Sequence, residues 1–277
     1  MGYQVRTMRR SDLDIAVGWA AGESWNPGRR DADAFWAADP EGFLIGELDG
    51  TPIACISVVD YPPSYGFLGF YIVRPEFRGH GHGIAIWRAG LARLAGRTVG
   101  LDGVVDQQEN YRKSGFVLAW NNARWRLERP VEAAGGTLDA TTLPFPALLA
   151  YDSRHFGATR AAFLSAWLAL PGTVARAVVI DGAIRGYGVV RPSQQGFKIG
   201  PLFAEDEAVA ARIFADLAAA AAPGPVFLDV PAPNRAAQDL VRRHAMTPVF
   251  ETARMYLGPA PAIDSARVYG VTSYELG

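Results

Sequence analysis

The chain has 277 residues, 49% of them hydrophobic, which is enough for one large domain or two small domains with separate cores. Its 27 Lys and Arg residues balance 28 Asp and Glu residues, and this formal net charge of −1 argues against a nucleic-acid partner. The single cysteine, Cys55, excludes an intrachain disulfide and a metal site made of cysteines alone. The sequence lacks a run of about 18 apolar residues and a signal-like start, so we expect a cytoplasmic protein without a membrane partner.

Hydrophobic patterning in the first half predicts an alternation of strands and helices. We predict strands over residues 3–8, 43–48, 52–59, 67–73, 99–105 and 116–127, and helices over 11–21, 31–38, 84–94 and 109–114. Ser11 to Asp14 is typical of a helix start, and Asp49-Gly50 is typical of a hairpin turn. The glycine-rich run from Gly79 to Gly83 falls between a strand and an amphipathic helix.

The second half repeats features of the first half after a Gly-, Pro- and Thr-rich stretch, 130–145, which we interpret as a linker between domains 1–129 and 146–277. Three pairs of short matches recur at offsets of 127 to 132 residues: Asp49-Gly50 with Asp181-Gly182, Leu101-Asp102 with Leu228-Asp229, and Ala123-Arg124 with Ala253-Arg254. They indicate a duplicated fold, although similar turn chemistry without common descent is an alternative. In the second half, the positions that correspond to the glycine run are occupied by Pro201, Glu205 and Asp206. We therefore expect the second half to keep the architecture and to lack the anion site.

The glycine run has the properties of an anion receptor. A helix begins with unpaired N–H groups at the positive end of its dipole, and glycine allows a phosphate to approach the backbone. The Gly-Lys-Ser/Thr ending of a P-loop is absent, and the spacing Gly79-x-Gly81-x-Gly83 differs from that of a dinucleotide fingerprint. Arg78 adds a positive charge beside the loop, so the pattern favours a diphosphate.

The segment from Val73 to Gly83 resembles the acetyl-CoA motif of the GNAT superfamily of N-acetyltransferases, Arg/Gln-x-x-Gly-x-Gly/Ala. Arg78, Gly81 and Gly83 occupy its three defining positions, and Tyr111 to Phe116 is similar to a second segment of that family. The resemblance extends over about residues 3–127, and the second half resembles the same fold without the motif. It implies an α/β (α+β) protein of two GNAT-like domains, each a mixed, mostly antiparallel sheet flanked by helices.

The resemblance implies an acetyl-CoA-dependent N-acetyltransferase whose other substrate is a small-molecule primary amine. It places the main chain of Ile72 and Val73 beside the pantetheine arm, with an N–H near Val73 as the oxyanion donor. The phosphate-binding positions that it implies are Arg78, Gly79, His80, Gly81, His82, Gly83 and Ile84. A His-x-His pair lacks a third ligand, so we expect no metal at His80 and His82.

The resemblance also makes Tyr111 the general acid for the departing thiolate, because a phenol is protonated at neutral pH. The alternative is that Tyr111 only packs the short helix against the sheet. Asn110 is the candidate polar contact to the pantetheine, although the family's asparagine usually lies several residues before the tyrosine, where this chain has 106–109. Candidates for the general base are Glu76, Asp106, Glu109 and a water held by Tyr71.

The acceptor amine is expected near Trp25 and Asn26, because the loop after the first helix lines the pocket in GNAT folds. Asp152 and His155 form a second candidate cluster, in which an acid–base pair is the functional interpretation and a helix cap with a surface histidine is the alternative. Residues 268–277 are strand-like and aromatic, so we expect them to be docked, with the terminal carboxylate reaching the active site. A non-catalytic acyl-CoA-binding sensor or interaction module is the alternative to an enzyme.

Overall fold

The computed structural model describes residues 2–221 and 223–277. In the first half the strands are β1 (Tyr3–Thr7), β2 (Phe43–Leu48), β3 (Thr51–Tyr61), β4 (Tyr65–Val73), β5 (Thr98–Val104) and β6 (Val117–Leu127). The helices are α1 (Arg10–Gly22), α2 (Asp31–Ala38), α3 (His82–Arg93) and α4 (Gln108–Lys113). These elements follow the predicted order. Helix α1 begins at Arg10, where the Asp12 carboxylate accepts a hydrogen bond from the Arg9 N–H at 2.8 Å.

The second half repeats this order of elements. Its strands are β7 (Leu138–Asp139), β8 (Val174–Ile180), β9 (Ala183–Pro192), β10 (Phe197–Ala204), β11 (Val226–Pro231), β12 (Thr247–Leu257) and β13 (Val268–Gly270). Its helices are α5 (Phe145–Phe156), α6 (Ala161–Leu168), α7 (Glu207–Ala220) and α8 (Arg235–Arg243). Strand β7 lies within the stretch interpreted as a linker and pairs with β8. In the described part of the chain, the helices lack either the length or the apolar character needed to cross a membrane.

The two halves share one continuous sheet and exchange their last long strands. The strand order is β1-β2-β3-β4-β5-β12-β6-β11-β10-β9-β8-β7, and β13 pairs with β10. Strand β12 of the second half is therefore antiparallel to β5 of the first half, while β6 of the first half is antiparallel to β11 of the second half. Each half completes its sheet with a strand from the other half.

Two buried ion pairs connect the exchanged strands to their hosts. Arg124 on β6 holds Asp229 on β11 through Nε and Nη2 at 2.6 and 2.7 Å, and Arg254 on β12 holds Asp102 on β5 at 2.7 and 2.6 Å. All four residues belong to the matches that indicated a repeat. Burial raises the pKa of the Asp229 carboxyl, but the charges of Arg124 and Lys198 outweigh burial and leave this pKa below its ordinary value. The stabilisation from Asp229 is therefore present at neutral pH and is lost as the pH falls through the folded pKa.

Both halves contain a gap between two parallel strands. Strand β4 pairs with β5 from Tyr65 to Leu68, and both strands then continue and diverge. Strand β10 pairs with β11 from Phe197 to Ile199 and diverges in the same way. The second gap is filled by the 268–277 segment: β13 pairs with β10, and the Val271 N–H donates to the Asp229 carbonyl on β11 at 2.9 Å. The expectation that these residues are docked is confirmed, since residues 268–277 are buried.

We expect Asp229→Leu to lower the free energy of unfolding by about 3–5 kcal/mol, because it leaves the Arg124 guanidinium buried without its counter-ion. Adding Arg124→Met to Asp229→Leu should recover a large part of this loss, as measured by urea unfolding at neutral pH. Asp239→Leu, in the exposed pair with Arg242, is the control and should change stability by less than about 1 kcal/mol. A double variant that is less stable than Asp229→Leu would contradict the role of this pair.

Candidate active site

A cavity of about 520 Å³ occupies the gap between β4 and β5. Its walls are the diverging strands, the glycine loop, the end of α1, the start of α4, and four residues of the second half. The residues that line it include Glu23, Trp25, Phe70, Tyr71, Val73, Arg78, Gly83, Ile84, Asp102, Gln107, Tyr111, Phe250, Thr252, Tyr274 and Glu275. The sequence elements predicted to bind the cofactor are therefore brought together here.

The glycine loop presents the N-terminus of α3 at one end of the cavity. Gly79 and Gly81 have φ values of +82° and +84°, and a Cβ atom at either position would have open space around it. The first hydrogen bond of the helix runs from the Ala85 N–H to the Gly81 carbonyl at 3.2 Å. The N–H groups of residues 82–84 precede it and have no acceptor within the helix, which makes this end a receptor for an anion.

The motif side chains have different surroundings. His80 is exposed, Ile84 is exposed and contributes to the cavity wall, and His82 is half-buried with its ring 4.6 Å from that of Tyr3. Arg78 Nε donates to the Val73 carbonyl at 2.8 Å, and Nη2 donates to Glu23 at 2.5 Å. Arg78 thereby connects the loop to the end of β4 and to the end of α1.

A bulge in β4 turns its main chain toward the cavity. Cys55 pairs with Ile72 and Ser57 with Gly69, so Phe70 and Tyr71 together face one residue of β3, and Phe70 has a φ of +46°. The Arg74 N–H donates to the Ile53 carbonyl, which makes Val73 and Ala54 a non-hydrogen-bonded pair. The Val73 N–H and carbonyl consequently point away from β3 and into the gap.

This register corrects one of the expected cofactor contacts. Main-chain groups alternate along a strand, so the N–H and carbonyl of Ile72 are directed toward β3 when those of Val73 are directed into the gap. Tyr71, two residues before Val73, lies on the same side of the strand as Val73. The Val73 carbonyl accepts a hydrogen bond from Arg78 Nε, so the main chain open to a ligand is the Val73 N–H together with that of Tyr71, while Ile72 contributes to the wall.

Tyr111 crosses β5 and lines the cavity. Its ring stacks on Trp87 with 5.5 Å between centroids and lies directly over Gly103, where a Cβ atom would come within 2.1 Å of the ring. Gly103 is therefore required for this position of the ring. Burial raises the pKa of Tyr111 well above its ordinary value, with a smaller contribution from Tyr71, so the phenol is protonated at neutral pH.

Asn110, the expected polar contact, does not line the cavity, and Gln107 lines it instead. Asn110 is exposed on α4 and donates to the Gln107 side chain at 2.7 Å, whereas Gln107 lines the cavity. Gln107 lies one turn before Asn110, just ahead of the first residue of α4. Asn110 is on a part of the helix that does not line the cavity. Gln107 was among the loop residues left open by the sequence.

Of the five residues predicted on the acceptor side, Trp25 and Tyr71 line the cavity, whereas Asn26, Asp152 and His155 do not. Asn26 is buried against the second half, where its side chain bonds the main chain of Gln195 and the Ser193 hydroxyl. Asp152 is held by Arg160 at 2.8 Å, and His155 Nδ1 lies 2.8 Å from the Tyr151 carbonyl. Asp152 and His155 thus bond to Arg160 and Tyr151 rather than to each other, and because both are buried they are not a helix cap with a surface histidine either.

The second half contributes to the cavity through β12 and the 268–277 segment instead. Phe250 and Thr252 come from β12, and Tyr274 and Glu275 come from the segment. Glu275 is only 2% exposed, and neither of its carboxylate oxygens has a hydrogen-bond partner among the described residues. Gly277 lines a separate small pocket beside Phe156, so Glu275, rather than the last residue, brings a carboxylate to the cavity. The aromatic, strand-like character of 268–277 was the sequence signal for this contribution.

Comparison with known proteins identifies the family. A family model for the acetyltransferase (GNAT) family matches residues 7–116, and one for an acetyltransferase (GNAT) domain matches residues 148–270. Holothin acyltransferase from Pseudoalteromonas sp. (strain SANK 73390) is 32% identical over 281 residues, which cover 99% of this chain and 96% of the relative. The chain belongs to the GNAT acyltransferase family. The resemblance inferred from the glycine motif is thus confirmed.

Solved GNAT structures have the same fold. A putative acetyltransferase from Pyrococcus horikoshii superposes with a TM-score of 0.85 at 23% identity, covering 100% of this chain and 96% of that protein. A tandem GNAT protein from the clavulanic acid biosynthesis pathway has a TM-score of 0.63 at 15% identity, covering 93% and 99% of the two chains. The expected tandem, mixed α/β architecture is therefore confirmed.

We expect Gly69→Ala to displace the 268–277 segment, because a Cβ atom at this position of β4 would lie 2.1 Å from the Glu275 carbonyl oxygen. Hydrogen exchange within residues 268–277 should accelerate, and stability should fall by about 1–3 kcal/mol. Gly18→Ala on the exposed face of α1 is the control, since a Cβ atom there meets no atom within 4 Å. Unchanged exchange in Gly69→Ala would show that the segment does not depend on this contact.

Proposed function

We propose that this protein transfers the acetyl group of acetyl-CoA to a primary amine of a small molecule. The observation that carries the proposal is one cavity that joins the open start of a helix, main-chain groups of β4 directed into the gap and a protonated tyrosine. Acetyl-CoA has a group for each feature: a diphosphate, a pantetheine arm with amides, and a thioester.

The residues that would hold acetyl-CoA fit its chemistry. The N–H groups of residues 82–84 and the open backbone at Gly79 and Gly81 suit the diphosphate, with Arg78 and His80 beside it. The main chain of Val73 and Tyr71 would pair with the pantetheine amides as a neighbouring strand does, and Gln107 would be their side-chain contact. The 268–277 segment supports this assignment, because β13 occupies the equivalent gap of the second half by pairing with β10.

Acetyl-CoA supplies an acetyl group activated as a thioester. An N–H of β4 at Tyr71 or Val73 would donate to the carbonyl oxygen as it gains negative charge, and the buried position strengthens that hydrogen bond. Tyr111 keeps a proton on its phenol oxygen at neutral pH and would release it to the thiolate as the sulfur departs. Acetyl-CoA and the amine would displace water from the cavity when they bind, which would favour the amine over water as the nucleophile.

The walls of the acceptor side favour a compact, apolar amine. Trp25, Phe70, Phe250 and Tyr274 present aromatic surface there, and the relative at 32% identity is a holothin acyltransferase. We therefore propose holothin as the first acceptor to test, followed by other small amines. The rival function is that of an acyl-CoA-binding sensor. It would use the same contacts with the cofactor but would not transfer the acyl group.

We expect Gly81→Ala to weaken CoA binding by at least about tenfold in calorimetry, because the positive φ of Gly81 sets the direction of the N–H groups at the start of α3. Gly96→Ala is a matched control: Gly96 has a φ of +81° and open space around its Cβ position, but it lies beyond the opposite end of α3. Both variants should lose similar stability. Equal CoA affinity in the two variants would contradict the assignment of the loop.

We expect Tyr111→Phe to slow acetyl transfer by at least about tenfold while CoA affinity changes less than about twofold, because only the transferable proton is removed. The assay follows free thiol release with holothin and a panel of small amines. Tyr269→Phe on β13, outside the cavity, is the control. If the unmodified protein binds CoA but releases no thiol above hydrolysis with any amine, the sensor function replaces the enzyme.

A further inference from the structure

The Glu275 carboxylate differs from the other buried carboxylates of the described chain. Asp31, Asp102, Asp152 and Asp229 are each held by two hydrogen bonds from one arginine, namely Arg191, Arg254, Arg160 and Arg124. Glu275 is equally buried, yet both of its oxygens are without a donor among the described residues, and its side chain lines the cavity. A buried carboxylate without hydrogen bonds is costly, so its position suggests a ligand that donates to it.

Main-chain contacts hold residues 275 and 276 against β3 and β4, with Glu275 in the cavity wall. Its carbonyl oxygen packs on Gly69 of β4 and accepts a hydrogen bond from the Ser57 hydroxyl at 3.3 Å. The next carbonyl, that of Leu276, accepts from the Tyr61 hydroxyl at 3.1 Å. Gly69 is two residues before Tyr71, roughly 7 Å along the strand, where the main chain turns into the gap.

The charges around Glu275 keep it available as a hydrogen-bond acceptor. Two cations, Arg124 and Lys198, interact electrostatically with Glu275. Both are directed to Asp229, Arg124 by two hydrogen bonds and Lys198 with Nζ 3.9 Å from the carboxylate. Burial lowers the pKa of Lys198 to about 8, with a further contribution from Arg124. Asp102 is occupied by Arg254, and burial raises the pKa of Tyr274. Arg124 and Lys198 thus carry positive charge near Glu275, and among the described residues neither of them bonds to its carboxylate oxygens.

We propose that Glu275 binds the acceptor amine in its ammonium form and accepts the proton that the amine loses before it attacks. This inference rests on the proposed function and specifies its substrate class: a compact, largely aromatic primary amine that is cationic in water. In the step, one N–H bond breaks and one O–H bond forms. The nitrogen keeps its electron pair, and Glu275 becomes neutral until it returns the proton to solvent. A buried site favours this exchange, because two separated charges become two neutral groups.

The test compares two amines of similar size in Glu275→Gln. 2-Phenylethylamine is an alkylammonium with a pKa of about 10, whereas the aniline nitrogen is uncharged at neutral pH. For 2-phenylethylamine, we expect Glu275→Gln to lower kcat/KM by at least about 100-fold, and to weaken binding to the CoA complex by at least about tenfold in calorimetry. With aniline, we expect Glu275→Gln to lower kcat/KM by no more than about threefold. The rate with 2-phenylethylamine should recover as the pH is raised toward the pKa of the amine.

Glu132→Gln, on the exposed 129–136 stretch, is the matched control and should match the unmodified protein with both amines. Equal losses with both amines, or no loss with either, would overturn the role of Glu275. Failure of the unmodified protein to bind 2-phenylethylamine would also overturn it. Failure of the proposed function has a different signature, in which 2-phenylethylamine binds in a Glu275-dependent manner and no thiol is released.

A stability measurement separates this role from a structural one. Removing a buried charge that has no hydrogen bonds should leave the melting temperature of Glu275→Gln unchanged or raised, whereas removing a structural anchor lowers it. The carboxamide keeps the shape of the side chain, so the main-chain contacts of Glu275 with Gly69 and Ser57 remain. A melting temperature several degrees below that of Glu132→Gln would show that the carboxylate serves the fold.

Discussion

The exchange of strands β6 and β12 is the constraint on which the rest of the molecule depends. Since β12 completes the sheet of the first half and β6 completes that of the second, neither half has a finished sheet by itself. Two buried Arg–Asp pairs, Arg124 with Asp229 and Arg254 with Asp102, connect each exchanged strand to its host. The same exchange places Phe250 and Thr252 of β12 in the cavity wall of the first half. The cavity is thus lined by both halves, while the glycine loop belongs to the first half.

The two halves share an architecture and use it differently. In the first half, α3 begins at a loop whose N–H groups have no acceptor within the helix. In the second half, the Asp206 carboxylate accepts a hydrogen bond from the Val209 N–H at 2.9 Å, so an internal anion already occupies the start of α7. The gap between β10 and β11 is likewise occupied by the chain itself, through β13. The second half therefore uses the corresponding gap to anchor the 268–277 segment.

Short sequence patterns predicted the turns and helices, which depend on residues that are close together in the chain. The hairpin turns at Asp49-Gly50 and Asp181-Gly182 have positive φ at both residues, and the helical spacing of apolar residues predicted α3 directly after the glycines.

The strand exchange could not be predicted from the sequence, because β6 and β12 show the same alternation of residue types whether they pair within a half or between halves. Asn26, Asp152 and His155 lie away from the cavity for a related reason: buried polar residues that bond to one another, across the two halves for Asn26 and within the second half for Asp152 and His155, look the same in sequence as polar residues of a site. The repeated Leu-Asp and Ala-Arg matches held the information about the pairs, since each aspartate needs the arginine of the other half.

The contrast between satisfied and unsatisfied carboxylates links the fold to the proposed chemistry. Asp102 and Asp229 contribute to stability because their arginines are fixed on neighbouring strands, and no oxygen is left for a ligand. Glu275 can retain two free oxygens in a buried position only because its backbone, rather than its side chain, is what anchors it. That anchoring comes from the β13 pairing, the hydroxyls of Ser57 and Tyr61, and the close contact at Gly69. Main-chain contacts therefore hold the segment in place without using the Glu275 side chain, which leaves the carboxylate free for the proposed contact with an amine.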